Sequence, residues 1–72
     1  MMDERPSVSV NGRQRPLEAR VLDELLRELG YDPQGQGFAV AINGEVVRRG
    51  EWPERKVEAD DHIEIIGAVQ GG

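Results

Sequence analysis

Apolar and polar residues alternate in several short stretches of this chain and fall at helical spacing in one. Ser7-Val8-Ser9-Val10 places a β-branched apolar residue at every second position, the period of a half-buried strand. Asn11-Gly12 follows, a dipeptide that tolerates positive φ at both turn centres, and it predicts a tight hairpin returning through Arg13-Gln14-Arg15. Leu17 is the expected inward residue at the end of that second strand. Pro16 has no N–H to give a ladder, so the strand belongs at or near a sheet edge. From about Arg20 the period changes: Leu22, Leu25, Leu26 and Leu29 fall at i, i+3, i+4 and i+7, one stripe of an amphipathic helix that Val21 widens. Asp23 and Glu24 suit the positive end of its dipole, and Gly30 suits a left-handed C-cap. No Ser, Thr, Asp or Asn stands immediately before Arg20, so the N-terminus lacks the usual side-chain cap.

Tyr31 to Gly37 reads as a loop, after which Phe38-Ala39-Val40-Ala41-Ile42 alternates large and small apolar residues. The large members should face the helix, leaving Ala39 and Ala41 on the other side of the sheet. A second Asn-Gly, Asn43-Gly44, turns the chain into Glu45-Val46-Val47. Arg48 to Ala59 predicts an irregular crossing with a turn of helix, and His62-Ile63-Glu64-Ile65-Ile66 a last strand with Ile63 and Ile65 inward. A hairpin, a crossover helix, a buried strand, a short return and a final strand describe an α+β fold of the β-grasp, ubiquitin-like kind, a mixed sheet of four to five strands on one main helix. The expected organisation is a single domain over 1–66 and a C-terminal arm over 67–72. The first and last strands should lie parallel at the sheet centre.

At 72 residues the core must be small, and with no cysteine neither disulfides nor thiolate metal ligands can reinforce it. The formal charge of −5 argues against nucleic acid and for basic protein partners. The start, MMDERPSV, has no apolar run, and no stretch approaches the ~20 apolar residues of a membrane span. A cytoplasmic location without membrane association is the expectation.

Chemistry concentrates in the last two residues, Gly71 and Gly72. Without side chains, an arm ending in Gly-Gly can enter a narrow active site and offer its α-carboxylate, with Val69 and Gln70 as the rest of the reach. Anchored to a central strand, such an arm is a presentation device. Ile66, Ala39 and Ala41, with Val69, are expected to form a mild apolar docking patch near its root.

The chain resembles the thiamine-pathway sulfur carrier proteins, the ThiS family, on Ala41-Ile42-Asn43-Gly44-Glu45-Val46-Val47-Arg48-Arg49, on Trp52 and Asp61, and on Val69-Gln70-Gly71-Gly72. Arg48 stands where that family usually has proline and Asp60 where it usually has glycine. The resemblance implies that an adenylating E1-like partner, using MgATP, activates the Gly72 carboxylate, that a cysteine persulfide supplies sulfur, and that the resulting thiocarboxylate serves thiazole synthase. It implies no bound cofactor, no metal and no catalytic residue in this chain, which would be a protein co-substrate and not an enzyme. The alternatives are a carrier like the small subunit of molybdopterin synthase, a ubiquitin-like modifier joined to lysine, and a binding module in which Gly-Gly is incidental. His62 and Asp60-Asp61 read as solvated groups, Arg48-Arg49 as surface ion pairs, and Trp52 as packing over the sheet or pinning the crossing.

Overall fold

The computed structural model describes residues 5–67. Its elements are β1 (Ser7–Val10), β2 (Arg13–Pro16), α1 (Leu22–Glu28), β3 (Phe38–Ile42), β4 (Glu45–Val46), a 3₁₀ turn (Arg49–Glu51) and β5 (His62–Gly67). The sheet order is β2-β1-β5-β3-β4, with β1 and β5 parallel and every other pair antiparallel. This is the expected β-grasp: β5 is central and Pro16 lies on an edge strand. Among the described residues β5 takes in Gly67, paired with Phe38, which the sequence reading had given to the arm.

Both hairpins turn as the Asn-Gly pairs require, with φ of 52° and 86° at Asn11 and Gly12 and of 54° and 86° at Asn43 and Gly44. Positive φ at both centres matches the twist of the flanking strands. Alternation then sorts the sheet into two faces. Val8, Val10, Val40, Ile42, Ile63 and Ile65 pack beneath Leu22, Leu25 and Leu26 of α1. Leu17, Leu29 and Phe38 close the rim half-buried.

The helix starts at Leu22, the first leucine of its stripe and past the expected boundary near Arg20, and no side chain caps it. Its first N–H groups are met instead from across the fold: Leu22 donates to the carbonyl of Arg55 (2.8 Å) and Asp23 to that of Trp52 (3.3 Å). Glu24 reaches back to the N–H of Arg20 at 2.8 Å, half of a capping box displaced by one residue. The crossing between β4 and β5 is therefore part of the helix terminus. At the other end Gly30 sits at φ 92° and the N–H groups of Gly30 and Tyr31 return to the carbonyls of Arg27 and Leu26, a Schellman arrangement.

The same crossing sends Trp52 and Val57 into the core. Trp52 is only 2% exposed, so it belongs to the centre of the core, more deeply than a pin over the sheet would. Its indole N–H donates to the carbonyl of Val47 at 2.9 Å, which satisfies the one polar group that burial would otherwise strand.

Candidate functional site

Gly72, Gly71, Gln70 and Val69 lie outside the described residues. What the structure does place is the point from which they depart: the end of β5, at the middle of the sheet. The two flanks of the strand are held to different lengths. β3 follows it to the last rung, where Phe38 faces Gly67, and β1 accompanies it only through Ser9↔His62 and Val10↔Ile63. Past that point Asn11 takes over, its N–H donating to the carbonyl of Ile63 and its Oδ1 accepting from the N–H of Ile65, both at 2.8 Å. Asn43 does the same at the beginning of the strand. Its Oδ1 accepts from the N–H of His62 (2.9 Å) and its N–H donates to the His62 carbonyl (2.8 Å).

On the face away from the helix, Ala39 and Ile66 are directly opposed across β3 and β5. Both are exposed, Ile66 to 53%, and this half of the expected patch stands. Ala41 does not offer surface. It points to the same side but is 4% exposed, because its register places it between Glu64 on β5 and Val46 on β4, whose larger side chains flank a single methyl group. Val46 is the apolar residue that takes its place at the surface, 71% exposed. The signal for it was present: a two-residue turn at Asn43-Gly44 pairs Ile42 with Glu45 and Ala41 with Val46, which fixes Val46 on the face of Ala41. The apolar strip thus runs from Ile66 through Ala39 to Val46.

The rest of this face is polar. Ser9 Oγ and His62 Nδ1 meet at 2.8 Å across the parallel pair, and Gln14 Nε2 donates to Ser7 Oγ at 2.9 Å. The hydroxyl and imidazole do not recruit the neighbouring carboxylate: Asp61 accepts from Asn43 Nδ2 through Oδ1 (3.0 Å) and from the Glu58 N–H through Oδ2 (2.9 Å). Asp61 is thereby a fastening of the turn before β5. Asp60 holds φ at 71°, a left-handed conformation that suits glycine better than aspartate. Among the described residues no three of His, Asp and Glu gather as a metal site would require.

The reading of Arg49 as half of a surface ion pair is overturned. Its guanidinium donates to three main-chain carbonyls, those of Pro33 (3.0 Å), Gly35 and Phe38 (3.1 Å). It also lies 4.3 Å from the centroid of the Trp52 ring and 5.2 Å from that of Phe38. The two rings stack at 5.4 Å, and Tyr31 meets Phe38 at 5.1 Å. One side chain ties the loop before β3 to the crossing, and through Phe38 it braces the rung that holds Gly67.

Comparison with known proteins agrees with this architecture. A family model described as the ThiS family matches residues 8–72. The protein named "Sulfur carrier protein ThiS" from Thermus thermophilus is 38% identical over 65 residues, covering 90% of this chain and 98% of that one. A crystal structure of a thiamine biosynthesis protein (ThiS) from Geobacter metallireducens superposes with a TM-score of 0.75 at 28% identity, covering 92% of this chain and 99% of that one.

Proposed function

Because this chain belongs to the ThiS family, we propose that it is a sulfur carrier of thiamine biosynthesis, a co-substrate whose Gly72 carboxylate becomes a thiocarboxylate. The observation that carries the reading is the family match through residue 72, together with a central strand that leads directly into Ala68-Val69-Gln70-Gly71-Gly72.

A carboxylate is a poor electrophile, and an adenylating E1-like partner with MgATP corrects that. A carboxylate oxygen attacks the α-phosphorus of ATP, the bond to the bridging oxygen breaks, and pyrophosphate leaves. The terminal sulfur of a cysteine persulfide then attacks the acyl carbon, AMP departs, and a second thiol cleaves the S–S bond to free the thiocarboxylate. Thiazole synthase is the recipient. Any Cβ at residue 71 or 72 would widen the arm where the reacting atoms must approach closely.

Ile66, Ala39 and Val46 provide the docking surface beside the end of β5, with Glu64, which pairs with Ala41 on the same face, as the acidic partner for a basic rim on the enzyme. Intact mass of the chain from its native host tests the proposal. The free acid must gain the difference between sulfur and oxygen when the adenylating enzyme, MgATP and a persulfide donor are present. High-mass adducts on lysine would mark a modifier instead, and full function after removal of Gly71-Gly72 would mark a binding module.

A further inference from the structure

Two arginines and no carboxylate line a groove on the helix side of the sheet, beside the β1–β2 turn. α1 stops at Glu28 and the chain turns away at Gly30, which leaves Val10, Leu29, Tyr31 and Ile65 around a concavity of about 440 Å³. Register brings the guanidinium groups to it. Arg13 pairs with Val10 and Arg15 with Val8, so both side chains stand on the face that the helix covers elsewhere. Arg15 meets Glu28 at 3.7 Å, a contact in which each side chain is about a third exposed and which holds little energy. Arg13 is exposed and has no ion-pair partner among the described residues. Tyr31, 37% exposed, rests its ring against Phe38 at 5.1 Å. An apolar concavity bordered by tyrosine and arginine is the composition of an interface anchor site. The chain's formal charge of −5 repels a polyanion as a whole, whereas a single carboxylate on a folded partner meets a local positive patch.

We propose that this groove is a second docking surface for the adenylating enzyme, and that it takes a segment in which an Asp or Glu carboxylate stands beside a large apolar side chain. The carboxylate bonds the Arg13 guanidinium, and the apolar group fills the space between Leu29, Tyr31 and Ile65. The inference rests on the carrier reading. Continuity with the apolar strip selects this enzyme as the occupant. Ile65 and Ile66 are neighbours on β5 whose side chains leave on opposite faces, Ile65 into the groove and Ile66 into the strip. The sheet between them is a single layer, so an enzyme seated on Ile66 has the groove within reach around the β1–β2 turn. The two surfaces also differ in sign, with Glu64 beside the strip and Arg13 at the groove. A partner with a basic contact on one side and an acidic one on the other fits in one orientation only.

The test titrates the full chain into the adenylating enzyme by calorimetry at two salt concentrations, with thermal unfolding alongside. Arg13→Glu should weaken affinity about tenfold or more, Arg13→Gln about threefold to tenfold, and Arg13→Lys should stay within about twofold of wild type. All three should melt as wild type does, because Arg13 is exposed. Affinity should fall with salt less steeply in Arg13→Gln than in wild type. Unchanged affinity in Arg13→Glu, an equal loss in Arg13→Lys, or a lowered melting temperature that accounts for the loss overturns the proposal. So does a loss confined to thiazole synthase in a parallel titration, which would give the groove to the other enzyme. A wild-type chain that binds no adenylating enzyme defeats the carrier reading itself, and that result is seen before any variant is made.

Discussion

The guanidinium carbon of Arg49 lies over the indole of Trp52, 4.3 Å from its centroid, because Arg49 opens a 3₁₀ turn that Trp52, three residues on, caps. In that helix residues three apart eclipse, so the Arg-x-x-Trp spacing is a stacking motif before it is anything else. Lysine cannot replace it, since an ammonium has neither the plane to stack nor the fork to reach three carbonyls. Arg49→Lys is expected to lose about 1–3 kcal/mol of stability, measured by urea unfolding. A midpoint equal to wild type would show the contacts to be idle.

Two positions where this chain departs from the ThiS pattern have backbones that still suit the usual residue. Arg48 has φ −65° and ψ 142°, which proline adopts without strain, and Asp60 sits at φ 71°. Arg48→Pro and Asp60→Gly should each stabilise by up to about 1 kcal/mol, whereas Asp60→Val should destabilise by about 1–2 kcal/mol. Thermal melts of the three variants decide it.

Ile66→Glu and Val46→Glu place charge on apolar surface that is exposed among the described residues. Each should shift stability by less than about 0.5 kcal/mol while weakening affinity for the adenylating enzyme about tenfold. Titration calorimetry checks this, and full affinity in both variants would move the docking site elsewhere.

Ala39 and Ala41 share a face but not a fate. Ala39→Asp should fold normally and impair docking. Ala41→Asp would bury a carboxylate beside Glu64 and should cost about 1–3 kcal/mol. Equal melting temperatures would contradict the burial of Ala41.

Gly72→Val should leave the melt unchanged and abolish ATP–pyrophosphate exchange. Undiminished exchange would remove the carboxylate of residue 72 from the chemistry.

Much of this was legible in the chain itself. Alternation assigned the inward residues of β1, β3 and β5, and the Asn-Gly pairs located both hairpins, since these signals act within a few residues. What escaped was long-range. The cap of α1 is formed by carbonyls of Trp52 and Arg55, some thirty residues away along the chain by the numbering, and no local pattern announces it. Arg49 reads as a surface charge until Pro33, Gly35 and Phe38 are seen to turn their carbonyls toward it. The exchange of Ala41 for Val46 sits between these cases, for the turn length already implied it.

The centre of the sheet is closed by its most distant segments: β1 and β5 lie side by side, and Ser9 and His62 touch across 53 positions. Neither hairpin can bury its apolar face until β5 is inserted between β1 and β3, so folding of this small domain waits on a long-range pairing and its slow step is the closing of that loop.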